Sequence, residues 1–562
     1  MEEKMLPKAR FWLAALTVAA MVFSVGGCTS PIEYIRNGFK VGPNYHGAEA
    51  CTEQHWIDAN DARVRQEPTD LVQWWTVFHD PALDHLIDCA ARQNLTLREA
   101  GFRILQARAQ LGISEGNFFP QVQTATGTYQ KSVNSGGNPQ TYTVNGSVAG
   151  GFAPSGGAFQ PGTFSGQGPL VLTPPVTTEG VNLGLNMAWE LDFWGRFRRA
   201  MVAAEDTLEA NCAAYNGAMV TLLGDVAKYY VQVRTDEKRI EFVRANVILQ
   251  RRILEIARKR FREGQTNDLD LNQARSTLAQ TEAQIPLLLT DLRAAEIRLC
   301  VLMGMPPAAL EAQLGPAPIP IAPPMVVVGI PADLLRRRPD VCRAERLAAA
   351  QAEQIGIAEV DLYPVFKING DMGYSAAGAS QLFESNSFYG GIGPGVQWNI
   401  LNYGRIRNNV RMQDAKFQEY VTIYQRMVLQ AAEEAENGMT QFLQEQDRSA
   451  LLDESVSSLQ LAVNTVVKQY EAGGIDFTRV SQIEQSLVQQ QDAQAASHGQ
   501  VAQGLIEVYR ALGGGWRTPA CAEQSAQAVR LPTISPPHEE IPVPAPAPPQ
   551  PISEQAPQPG NS

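Results

Sequence analysis

Two periodicities, one of strands and one of helices, occur in the same order twice along the chain. Val181, Leu183, Leu185, Met187, Trp189, Leu191 and Phe193 alternate with Asn182, Gly184, Asn186, Ala188, Glu190 and Asp192. A sustained period of two predicts a β-strand with one apolar and one small polar face, long enough to cross a bilayer when tilted. Ile392, Val396, Trp398 and Ile400 repeat the pattern between Gly391, Gly393, Gly395, Gln397 and Asn399. Phe366, Ile368, Met372 and Tyr374 do so between Lys367, Asn369, Asp371 and Gly373, and the Thr-rich residues 122–133 form a weaker fourth strand. Helical spacing follows each second strand: Val220, Leu223, Ala227, Tyr230, Val233, Ile240, Val243 and Val247 recur at intervals of three and four. Long helices are predicted over 196–261 and 405–470, each roughly 100 Å at 1.5 Å per residue. Gly264 and Gly473 interrupt them, and return helices over 268–303 and 476–512 complete two antiparallel coiled-coil hairpins. Shorter helices over 95–117 and 339–361 precede the strands, with Pro120 and Pro364 marking the change of backbone.

Self-comparison explains the recurrence. Residues 111–120, Leu-Gly-Ile-Ser-Glu-Gly-Asn-Phe-Phe-Pro, read against 355–364, Ile-Gly-Ile-Ala-Glu-Val-Asp-Leu-Tyr-Pro, an offset of 244. Trp189, Gly195, Arg196, Phe261, Gly264 and Gly304 read against Trp398, Gly404, Arg405, Tyr470, Gly473 and Gly513, an offset of 209. The change of offset places one insertion between Pro120 and Trp189, where residues 134–168 are dense in Gly, Ser, Pro and Thr and read as a long loop. The chain is a duplicated unit.

Four strands with an apolar face suit a membrane wall better than a soluble sandwich, because they fall in two widely separated hairpins. Open strand edges do not survive in lipid, and four strands cannot close a barrel, so several protomers related by cyclic symmetry must share one. A trimer supplies 12 strands. No run of 18 apolar residues follows the first 28, which excludes a membrane-crossing helix there. Lys4, Lys8 and Arg10 precede an apolar stretch that ends at Val25-Gly-Gly-Cys28, the pattern of a lipoprotein signal. Residues 1–27 are thus expected to be removed and Cys28 to carry N-acyl and S-diacylglycerol lipid, with Thr29 directing the chain to the outer membrane.

The net charge of −12 argues against a nucleic-acid partner. No P-loop, GxSxG, HExxH or dinucleotide fingerprint is present, and His46, His55, His79, His85, His498 and His538 form no ligand constellation. No enzyme activity, metal or cofactor beyond the covalent lipid is expected. Cys89, Cys212, Cys300 and Cys342 fall in helical patterns and read as small core residues, while Cys51 and Cys521 flank the folded region as a candidate disulfide in an oxidising periplasm. The tail from residue 531 is rich in Pro, Ala, Gln and Glu and reads as disordered.

Five motifs carry a resemblance: Val41-Gly-Pro-Asn-Tyr45, Trp74-Trp75, Phe78-His-Asp-Pro-Ala-Leu83, Trp189-Glu-Leu-Asp-Phe-Trp-Gly-Arg196 and Arg336-Arg-Arg-Pro-Asp-Val341. Over residues 41–516 the chain resembles the outer-membrane efflux family of TolC and OprM type, in its NodT-like lipoprotein branch. The resemblance implies an α+β membrane protein: a trimeric 12-stranded outer-membrane β-barrel, four strands per protomer, continuous with a long α-helical coiled-coil periplasmic tunnel. A small mixed α/β equatorial belt would come from residues 50–89, 306–333 and 513–531. The implied segments are 1–27 signal, 28–94 lipid anchor, linker and equatorial segment, 95–304 first copy, 305–335 connector, 336–513 second copy and 514–562 equatorial segment and tail. The strand hairpins are 121–193 and 365–400, and the helical hairpins 196–304 and 404–513.

The implied function is the outer-membrane channel of a tripartite RND-type efflux system that exports small toxic compounds. Its partners would be two further copies, a periplasmic membrane-fusion adaptor, an inner-membrane RND pump and outer-membrane lipid. Type I protein secretion and a lipid-anchored coiled coil without a pore are the alternatives. The periplasmic aperture would lie at the turns 263–268 and 472–476, with Gly264, Asp268, Asp270, Gly473, Asp476 and Arg479. Arg479 and Gln482 stand where TolC-like chains carry aspartate, so an aspartate ring and an Asp270–Arg479 lock between copies are both candidate closures, while capping of the return helices is the favoured reading of Asp268 and Asp476.

Overall fold

The computed structural model describes residues 30–50, 52–53, 55–67, 71–134, 176–329 and 337–516, so Cys28, Cys51, Cys521, the long loop and the Pro-rich tail lie outside the described residues. Helix α1 (Pro31–Arg36), strand β1 (Val64–Arg65) and helix α2 (Pro81–Gln93) lead into the first copy. That copy runs α3 (Leu95–Gly116), β2 (Val122–Asn134), β3 (Val176–Glu190), α4 (Arg196–Arg262), α5 (Asp268–Glu282) and α6 (Gln284–Leu302). A connector holds α7 (Glu311–Leu314) and β4 (Val326–Val327). The second copy runs α8 (Pro339–Val360), β5 (Val365–Ala376), β6 (Phe388–Gln397), α9 (Arg405–Glu471) and α10 (Phe477–Ala511).

The duplication is present to the residue: α4 and α9 are both 67 residues long, and Gly195 and Gly404 hold their N-caps. The prediction of a single return helix in the first copy fails. The return helix of the first copy is two helices, broken at Ala283 just before Pro286, whereas α10 is continuous. Proline offers no N–H to the carbonyl four residues back and its ring crowds that carbonyl, so the helix is interrupted at this level.

The four long strands form one antiparallel sheet in the order β2-β3-β5-β6, with Val122 opposite Ala188, Trp189 opposite Ile368 and Phe366 opposite Val396. Its apolar face is bare: Leu185, Met372, Ile392 and Val396 are 53–77% exposed. A water-soluble sandwich buries that face against a second sheet; among the described residues the only other sheet is the two-residue parallel pair β1-β4. Among the described residues, strands β2 and β6 each leave one edge unpaired.

The main core lies midway along the helices. Trp74, Phe78 and Leu83 pack there with Leu223, Val226 and Tyr230 of α4, Phe442 of α9, and Leu505 and Tyr509 of α10, beside the β1-β4 pair. Each such side chain contributes about 1.5–3 kcal/mol by leaving water. Residues from two of the segments read as belt, 50–89 and 306–333, supply part of this core. Cys212 departs from its reading as a plain core thiol: it is disulfide-bonded, whereas Cys89, Cys300 and Cys342 are in no disulfide.

Candidate functional site

The junction between sheet and helices is built the same way in both copies. Trp189 Nε1 donates to the Phe118 carbonyl (3.2 Å) and its repeat counterpart Trp398 to that of Leu362 (3.0 Å). Each indole ties the end of its second strand to the segment leading into the first. Arg199 of α4 then does something its counterpart Asn408 does not. Fully buried, it donates to the carbonyls of Val41 (2.7 Å) and Gly42 (2.7 Å) and pairs with Glu353 of α8 (2.6 Å). The guanidinium passes over Gly356, where an added Cβ would lie 2.3 Å from Nε. The Val-Gly-Pro-Asn motif is therefore a strap fastened across the two copies.

The other motifs are fasteners too. Asp80 accepts from Ala82 N and Leu83 N to start α2, and also from the Tyr230 hydroxyl (2.6 Å). Arg338 donates to the Ala511 carbonyl at the end of α10 (2.8 Å) and pairs with Asp340 and Glu434. Nearby, burial pushes the Asp206 carboxyl up to about 6 against the opposing pull of Arg346.

At the far ends, Gly264 and Gly473 take positive φ (72° and 79°) in the two tip turns, a conformation that costs an L-residue with a Cβ and glycine little. Capping is resolved in part. Asn267, not Asp268, is the N-cap of α5, its side chain accepting from Asp270 N (3.2 Å). Asp268 is exposed on the first turn, where its charge suits the helix dipole. Asp476 does occupy the N-cap of α10, without a side-chain cap bond. The expected Asp270–Arg479 pair does not form within the chain: Asp270 accepts from the Thr266 hydroxyl, and Arg479 is exposed, its backbone N–H bonded to the Asp476 carbonyl.

Another residue joins the copies here. Arg260 of α4 donates Nη1 to the Tyr470 carbonyl at the end of α9 (2.7 Å) and lies 4.6 Å from the Tyr470 ring, which meets Phe477 edge-on at 5.7 Å. Nothing in the basic run Arg258-Lys-Arg-Phe-Arg262 singles Arg260 out; only the packing of the second copy does.

A bare-faced sheet, prolonged by helical hairpins far longer than a bilayer is thick, fits the wall of a membrane-spanning duct. The chain belongs to the outer membrane efflux protein family, whose model matches residues 86–305 and 330–514. It is similar to the pyoverdine export outer membrane protein OpmQ of Pseudomonas putida KT2440, 26% identical over 446 residues that cover 79% of this chain and 88% of that one. Outer membrane protein OprJ of Pseudomonas aeruginosa is 25% identical, over 91% and 97% of the two chains. The solved outer-membrane channel OprN matches with a TM-score of 0.73 at 28% identity, over 85% of this chain and 99% of that one. This protein is an efflux channel of the outer membrane.

Proposed function

We propose that three copies close into one 12-stranded barrel and helical tunnel, gated at the tips and lipid-anchored through Cys28. In this reading it serves a periplasmic adaptor and an inner-membrane RND pump in expelling small toxic compounds. One observation carries the ring. Helix α8 packs between α4 and α9, whereas α3 packs on α4 and makes no comparable contact with α9. The outer flank of α3 and the free flank of α9 thus await each other on neighbouring copies, as do the open edges of β2 and β6. Unpaired strand edges are untenable in lipid, and ring closure satisfies both at once. The cargo assignment draws on relatives whose names specify small compounds, among them the solvent efflux pump outer membrane protein SrpC.

Single-channel conductance of the lipidated, detergent-purified protein in planar bilayers tests the duct. Discrete channels that require the trimer are expected, and silence from folded trimers both as wild type and as Arg479→Glu would sink the reading. Within it, exposed Arg479 is placed to meet an acidic group of the adjacent copy, so Arg479→Glu raises passive leak.

A further inference from the structure

Near the tips the four helices α4, α5, α9 and α10 share an apolar interior of Ile253, Ala257, Leu271, Val463, Val480 and Leu487, among others. A line of buried polar side chains runs through it. Asn246 donates Nδ2 to Gln491 Oε1 at 2.7 Å, Thr281 donates to the Thr277 carbonyl at 3.1 Å, and the hydroxyls of Thr277 and Ser481 lie 3.4 Å apart. Two members of the line have no partner. Neither amide atom of Gln250 on α4 is hydrogen-bonded, and neither is Oε1 of Glu484 on α10. Glu484 is 3% exposed and sits one turn from Val480 and from Leu487, both in the apolar cluster. Its repeat counterpart, Arg275, is exposed, so the feature exists once per chain.

A carboxyl in such a place holds its proton, because ionisation would leave a charge without water or donor. Burial is the one cause acting on Glu484, and it carries the carboxyl up to about 7. Ionisable groups at this level of the packed helices are turned outward. Arg251, Arg252 and Glu255 of α4, Arg275 of α5, and Glu454 and Lys468 of α9 are exposed, Arg258 pairs with Glu255, and Arg479 on α10 itself is exposed. None of them contributes to the shift.

We propose that Glu484 is a proton-binding site between the helices of the two repeat copies, and that losing this proton loosens α10 from α4, α5 and α9 near the tip. The sign follows from the two environments. When α10 lifts and Glu484 meets water, its carboxyl returns to the ordinary value of 4.5. Below that pH both forms are protonated. Between there and neutrality the packed form keeps the proton and the lifted form sheds it, so the lifted population grows as pH rises and levels off above neutrality. The gain is on the order of tenfold to a hundredfold between pH 5 and 8. In a working duct this makes the tip tighter in an acidified periplasm than in an alkaline one.

Hydrogen exchange on the full-length, detergent-purified protein tests this, read as protection factors of residues 477–491 corrected for intrinsic chemistry, at pH 5.5 and 8.5. The wild type should lose protection at least tenfold at the higher pH, with residues 222–230 in the equatorial core unchanged. Glu484→Gln keeps the shape without the proton and should show no pH dependence at the tip. Glu484→Leu, which removes the polar group, should be flat as well and better protected throughout. Wild-type protection that ignores pH, or a Glu484→Gln protein that keeps the wild-type slope, overturns the proposal. The readout needs no pore, so a failure of the channel reading in bilayers leaves this result separately interpretable.

Discussion

The first helices of the two copies, α3 and α8, are both 22 residues long and share a sequence pattern, yet one is a surface helix and the other is interior. Gly112 and Glu115 of α3 are exposed, while their counterparts Gly356 and Glu359 are buried. Arg108 is exposed, and its counterpart Ala352 is 4% exposed. Leu95, Phe102 and Ile113 leave apolar surface uncovered on α3. The upper half of α9 is similarly bare, with Met412 at 47% and Leu429 at 60%, where the same stretch of α4 is flanked on both sides. Amphipathicity alone does not decide which helix is interior; the number of neighbours does, and α8 has both of its neighbours within one chain.

The sharpest way to break this comparison is to give α8 the side chain that α3 carries. Ala352→Arg puts a long cation into a filled, dry position, and an unpaired buried charge costs roughly 4–5 kcal/mol or more. Loss of the folded protomer is expected by near-UV circular dichroism and trimer mobility, whereas Arg108→Ala should leave the fold within about 0.5 kcal/mol. Next in size is the strap. Arg199→Met strands Glu353 and two carbonyls, and breaking a buried pair from one side costs about 3–5 kcal/mol. Asn408→Ala, at the same place in the second copy, should cost less than about 1 kcal/mol, both measured as shifts in the denaturation midpoint.

Glycine makes a finer comparison because the sign should invert. At Gly356 an added methyl collides with Arg199, so Gly356→Ala should destabilise by about 1–3 kcal/mol. Gly112 has nothing within 4 Å of the same point, and Gly112→Ala should stabilise its helix by about 0.5–1 kcal/mol. Equal effects at the two positions would show that the strap does not set the difference between the copies. The smallest effect is expected in the broken return helix. Pro286→Ala should join α5 to α6 and add up to about 1 kcal/mol, seen as slower exchange over residues 280–288, the contrast being continuous α10.

Much of this was legible in the residues because duplication tests itself: two glycines 209 apart that end two predicted helices are hard to misread as anything but turns. The strands were legible because alternation survives wherever one face meets lipid. What escaped were properties one copy acquires only by touching the other. Glu484 lies in Ser-Gln-Ile-Glu-Gln, a stretch that reads as a solvated face, and is interior because its flanking Val480 and Leu487 belong to the cluster that the two copies share. Arg260 stands among five consecutive residues of which four are basic, and its clamp on Tyr470 depends on where α9 ends. Asp268 looked like a cap because acidic residues favour that role; Asn267, one residue earlier, has the extended backbone a cap requires. The break at Pro286 was in plain view and was outweighed by the period of the residues around it.

The Arg199 strap has a mechanical consequence. It crosses the contact between α4 and α8, which lies inside one chain, and at the matching position of α9 the second copy carries the amide Asn408 in place of the guanidinium. In the three-chain ring proposed above, the wall would alternate three joints that carry this rivet with three that do not. A cylinder made that way would not stretch evenly. It would yield first along the unriveted seams, and any widening near the membrane would begin there, whatever force is applied to it from below.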